Sequence, residues 1–110
     1  MWTVLLLADA ATELNALPAD QQARFQRVVQ LIGTHGLEQL HFPHVRHLEG
    51  PIWEIRLQGK AGISRALYVV RIGKRVVVVR VFVKKSQTTP RREIDLALKR
   101  AKDLKDEDLP

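Results

Sequence analysis

Trp53, Ile55 and Leu57 alternate with Glu54, Arg56 and Gln58 across residues 52–58, the period of a strand with one covered and one wet face. After a Gln58-Gly59-Lys60-Ala61-Gly62 turn, residues 64–72 (SRALYVVRI) predict a second strand. Gly73-Lys74 predicts a tight hairpin, and the long β-branched run 75–85 (RVVVVRVFVKK) predicts a central strand. Near the start, residues 2–7 (WTVLLL) are short and β-prone, and a short helix is expected over 9–16. Leu17-Pro18 interrupts it, because proline disfavours helix at the residue before it. Phe25, Val28, Val29 and Ile32 then form the apolar stripe of a second helix, with Gly33 and Gly36 as candidate stops. Residues 36–50 show no period and read as a connection. At the far end, Thr89 offers an N-cap hydroxyl and Pro90 a pre-set first helical residue. Ile94, Ala97, Leu98 and Ala101 line one face of this last helix. The order β, α, α, β, β, β, α predicts an α+β domain, an antiparallel-rich sheet with helices packed on one face and the other face accessible.

A chain of 110 residues suits a single domain, 1–110, with one modest core. There is no cysteine, so disulfides, thiolate metal sites and thiol nucleophiles are excluded. The apolar start lacks a basic region and is interrupted by Asp9 and Glu13, which argues against a signal peptide or membrane span and for a cytoplasmic protein. The net charge of +6 is unevenly placed: the stretch up to Val45 sums to −2 and the remainder carries +8. Such a basic half attracts polyanions, and also invites an acidic or helical partner segment to cover it. Asp103, Asp106, Glu107 and Asp108 mark residues 105–110 as a solvated tail.

Candidate chemistry gathers on the polar side of the strands. Glu54 and Arg56 share a face, Arg65 begins the next strand, and Tyr68 has the opposite parity. Arg80 lies within the third strand, Lys84 and Lys85 end it, and Arg91 and Arg92 open the last helix. If the strands pair in sequence, these cations converge on one concave surface. Arginine grips two phosphate oxygens at fixed geometry and lysine adds a point charge, so the cluster matches a phosphodiester. His35, His41, His44 and His47 lie in or beside an irregular segment without a completing Asp or Cys, so no metal site and no cofactor is expected. His47 is either a nucleic-acid contact or a residue packing beside Trp53. No phosphate-cradling glycine loop or G-x-S-x-G elbow is present.

From His47 onward the chain resembles the HigB branch of the RelE/ParE superfamily of type II toxin–antitoxin toxins, especially its phage-derived members. The residues that carry this are HLEGPIWEIRL (47–57), Arg65 with ALYVV (66–70), and VFVKKSQTTPRREIDLALKRAKDL (81–104). The first 46 residues match only in pattern. The resemblance implies a ribosome-dependent endoribonuclease that cuts messenger RNA, neutralised by an antitoxin that is commonly a helix-turn-helix DNA-binding protein. It assigns Arg56 and Arg65 to the scissile phosphate, and Lys84 or Lys85, preferably Lys85, to charge stabilisation or protonation of the leaving oxygen. Tyr68 matches the family pattern and is also a candidate packing residue. The chain departs from the best-known RelE proteins in having no tyrosine near its C-terminus.

The implied chemistry is metal-free transesterification, with Glu54 as a candidate base or, alternatively, only the ion-pair partner of Arg56. Two rival readings share the fold: a ParE-like inhibitor of DNA gyrase, and a phage-derived binding module without catalysis.

Overall fold

The structure, a computed structural model, describes residues 1–39, 45–60, 62–83, 87–105, 107 and 109. Its elements are β1 (Thr3–Leu6), α1 (Ala8–Asn15), α2 (Ala19–His35), a 3-10 turn (Leu37–Gln39), β2 (Val45–Glu49), β3 (Ile52–Gly59), β4 (Gly62–Arg71), β5 (Arg75–Val83) and α3 (Arg91–Asp103). The five strands lie in the order β1-β5-β4-β3-β2. β1 runs parallel to β5 and the other pairs are antiparallel. The β-branched run takes an inner position as expected, and Val76, Val77, Val78 and Val79 are fully buried. Of the two candidate helix stops, Gly33 stays inside α2 and Gly36 ends it. At φ +87° Gly36 adopts a backbone that side chains avoid, and its N–H closes the helix on the Ile32 carbonyl at 2.9 Å.

Two features depart from the sequence-based expectation. The first is a fifth strand: β2 lies within the segment read as a connection and forms the sheet edge beside β3. The second is that the helices do not share one face. Alternate residues of β4 show this. Ala66 and Tyr68 join the core under α1 and α2, with Phe25, Val28 and Ile32, whereas Leu67 and Val69 join a second core under α3, with Ala97 and Ala101. The chain after β5 therefore crosses to the opposite face. The C-terminal tail follows it: Asp103 and Glu107 are exposed, but Leu104 and Leu109 pack against the α3-side core. Among the described residues no helix is long and apolar enough to cross a membrane.

The helices on opposite faces are joined around an open stretch of sheet edge. β1 covers β5 only as far as Val78, and a bulge opposite Leu67 and Tyr68 leaves Val79 as an extra residue. Side chains then satisfy the exposed backbone: Arg100 of α3 donates to the Val79 carbonyl at 2.8 Å, and the Val81 N–H donates to Glu13 of α1 at 3.1 Å. Glu13 also receives Arg80 at 2.6 Å and Arg100 at 2.9 Å, while Arg80 reaches Glu93 of α3 at 2.9 Å. An edge closed by charged side chains is also protected from pairing with another chain.

This network makes a stability prediction. Burial alone would raise the Glu13 carboxyl, but hydrogen bonds from Arg100, the Val81 N–H and Arg80 outweigh it and hold the group below its ordinary value of 4.5. A depressed carboxyl contributes stability that is fully present above about pH 4.5 and is lost as pH falls through the folded value. Glu13→Gln is therefore expected to cost about 1–3 kcal/mol at neutral pH. Thermal melts of both proteins between neutral and acid pH check this, and the gap between them should narrow towards acid.

Candidate functional site

The Gly59–Gly62 pair sets the register of the β3–β4 hairpin, and that register places Arg56 directly opposite Arg65. Both project from the α3 side of the sheet, as does Glu54, two residues from Arg56 on the same strand. Like charges directly opposite in a sheet repel, so this pair needs a counter-charge or a ligand. Arg65 has its counter-charge. It is 4% exposed, and its Nη1 donates to both oxygens of Glu54, itself 3% exposed, at 2.7 and 2.8 Å. The same Nη1 donates to Thr89 Oγ1 at 2.8 Å, Nη2 donates to the Gln87 carbonyl at 3.1 Å, and the Thr89 hydroxyl donates to Glu54. Arg65 and Glu54 thus form a buried ion pair that fastens the approach to α3 onto the sheet.

Arg56 is different. Among the described residues it has no ion pair or hydrogen bond, and its Nε, like that of Arg65, is buried without a partner. On the other side of Glu54, Arg46 of β2 lies opposite that carboxylate with its Nε 3.4 Å from Oε2 and its side chain 42% exposed. Three guanidinium groups thus stand on three adjacent strands around one carboxylate, a local charge of +2.

The face expected to be wet is therefore only partly so, because Thr89, Gln87 and the start of α3 close over Glu54 and Arg65. Thr89 does not cap α3. The N-cap position is Pro90, without a side-chain cap, and the helix begins at Arg91. The Thr89 hydroxyl is engaged by Glu54 and Arg65 instead.

The remaining candidates divide. Tyr68 is 1% exposed in the α2-side core, and burial pushes its phenol up. His47 pairs with Trp53 across the strands, its ring centroid 5.0 Å from that of Trp53 and its Nε2 2.8 Å from the Gly50 carbonyl. Both therefore lie on the face opposite Arg56 and Arg65, Tyr68 as a core residue and His47 packed beside Trp53, so of the two readings offered for each the packing one fits and the RNA contact does not. Arg80 is engaged by Glu13 and Glu93 and lies over Phe82 at 5.8 Å. Arg91 is exposed and bonded to Glu49 at 2.6 Å and to Asp95 at 2.8 Å. Its hydrogen bond to Glu49 holds that carboxyl below its ordinary range. Arg92 is exposed on the first turn of α3. Lys84 and Lys85 lie outside the described residues, as do His41 and His44. Among the described residues no group of three or more His, Cys, Asp or Glu side chains is placed to hold a metal ion. Sequence reasoning missed Arg46, whose only available signal was its parity with Glu54 on a strand that had not been recognised.

Residues 12–102 match the family described as "Phage derived protein Gp49-like". Among solved structures, a chain of the archaeal RelE-RelB complex from Pyrococcus horikoshii OT3 superposes with a TM-score of 0.59 at 20% identity, covering 74% of this chain and 93% of that one. No curated protein matches the sequence. The family match spans β2 through α3 with all three arginines of the cluster, and the superposition gives the fold as RelE-like. This chain belongs to the Gp49-like family of phage-derived proteins.

Proposed function

We propose that this chain is the toxin of a type II toxin–antitoxin pair, of the HigB kind, and that it inhibits growth by cutting messenger RNA on the ribosome in the cytoplasm. The observation that carries this reading is the cross-strand pair of Arg56 and Arg65, with Arg56 lacking a counter-ion among the described residues. An unbalanced guanidinium presents a planar fork of donors, which is suited to a ligand with two anionic oxygens.

In the proposed reaction the RNA 2′-hydroxyl gives its proton to solvent water and its oxygen attacks the adjacent phosphorus. The bond from phosphorus to the 5′-oxygen breaks, that oxygen takes up a proton, and a 2′,3′-cyclic phosphate remains. Arg56 supplies charge to the non-bridging oxygens, where it accumulates in the transition state. Arg65, buried and held by Glu54, Thr89 and Gln87, fixes the strands beneath Arg56 rather than meeting the RNA itself, and Lys85 or Lys84 serves the leaving oxygen. Arg91 and Arg92 extend the basic surface along the RNA. Glu54, already occupied by Arg65, Thr89 and Arg46, fits a role in holding Arg65 better than that of a free base. The partner is an antitoxin, a helix-turn-helix DNA-binding protein in this reading.

Brief expression without an antitoxin tests the proposal. Transcripts should acquire new 5′-hydroxyl ends within coding sequences while chromosomal DNA stays intact. Broken DNA with intact messages would point to gyrase poisoning instead, and harmless expression to a binding module.

A further inference from the structure

We infer that Arg46 is an additional RNA-binding residue, holding the phosphate next to the one that Arg56 grips; this rests on the nuclease reading above. The argument begins with what Arg46 is not needed for. Glu54 already receives two hydrogen bonds from Arg65 and one from Thr89. At 3.4 Å the Arg46 Nε is beyond a good charge-assisted hydrogen bond, and a half-exposed pair of this kind adds little to stability. The contact nevertheless gives the side chain a direction. Glu54 is buried and immobilised, so the nearby Arg46 head is drawn along the α3 side of the sheet while the side chain stays 42% exposed.

Position supports the same role. Arg46 is opposite Glu54, and Arg56 lies two residues further along β3, which makes Arg46 and Arg56 diagonal neighbours about 7–8 Å apart in backbone. Arginines at that separation on one face reach successive phosphates of a strand rather than one phosphate jointly. The +2 charge of the cluster makes a polyanion the fitting ligand. Arg46 thereby extends the site from one linkage to a short track.

The test is a salt titration of binding to a fluorescent 2′-O-methyl RNA oligonucleotide, which cannot be cleaved. Each phosphate neutralised on a single strand contributes about 0.7 to the slope of log affinity against log salt. Arg46→Gln is expected to weaken binding and to flatten the slope by about 0.7. Arg46→Lys should keep the slope. Lys74→Asn, at the β4–β5 hairpin tip where Lys74 has φ +56°, serves as a distant control and should leave the slope unchanged. A purely structural Arg46 would not alter the slope, so equal slopes for wild type and Arg46→Gln overturn the inference. Wild-type protein that leaves the oligonucleotide unbound overturns it too. The nuclease reading is judged separately by transcript ends, which this titration does not touch.

Discussion

Arg56→Ala is expected to fold as well as the wild type and to lose its effect on growth. The two halves of that expectation come from one fact, the placement of Arg56 opposite Arg65 without a counter-ion among the described residues. Removing one of two facing like charges relieves repulsion, so the thermal midpoint should stay level or rise slightly. Removing a preorganised donor to transition-state charge costs about 10²–10³-fold in rate, or about 2.7–4 kcal/mol. Arg56→Lys should restore only part of the activity, since an ammonium is a point charge and cannot meet two oxygens at once. Growth curves after induction, set beside melting curves of the purified variants, measure both halves. A protein that gains stability while losing toxicity marks a residue kept for binding rather than for folding.

Arg65→Ala has the opposite profile. It leaves Glu54, 3% exposed, without its main counter-charge and releases the Gln87 and Thr89 contacts. Breaking a buried ion pair from one side costs about 3–5 kcal/mol, which in a domain of this size lowers the thermal midpoint by at least about 10 °C. Loss of toxicity in Arg65→Ala would therefore say nothing about RNA. Replacing both partners, Glu54→Leu with Arg65→Met, removes the buried charge as well as its partner and should recover most of the lost stability. If that double variant melts near the wild type and is harmless, Arg65 has a role beyond holding the fold. An Arg65→Ala protein that melts within about 1 kcal/mol of wild type would show the pair to be solvated.

These opposite profiles also explain what the sequence could and could not reveal. The three central strands were legible because alternation and β-branched runs are direct consequences of pleat geometry. The pairing of Arg56 with Arg65 was implied by the turn, since both lie three residues from the Gly59–Gly62 pair. β2 was not legible. An edge strand of five residues with exposed Arg46 and His47 shows no apolar period. Nor does an amphipathic stripe say which face of a sheet it will cover, so the crossing of α3 could not be read from Ile94, Ala97 and Ala101. That crossing changes the reading of Glu54 and Arg65, which look like wet-face residues in sequence and become a buried pair in space. Thr89 illustrates the same ambiguity: a hydroxyl before a helix suits a cap, yet here a neighbouring carboxylate and guanidinium engage it. The face of His47 is fixed only once β2 is recognised as a strand, whereas the parity of Tyr68 on β4 already sets it opposite Arg65.

The most direct measurement is to sequence RNA ends carrying 2′,3′-cyclic phosphate from cells briefly expressing wild type or Arg56→Ala at equal soluble amounts. Wild type should generate such ends within translated messages, and the variant should leave them at background. Equal cleavage by a folded Arg56→Ala protein would contradict the account, since the guanidinium placed to grip the linkage would then be dispensable.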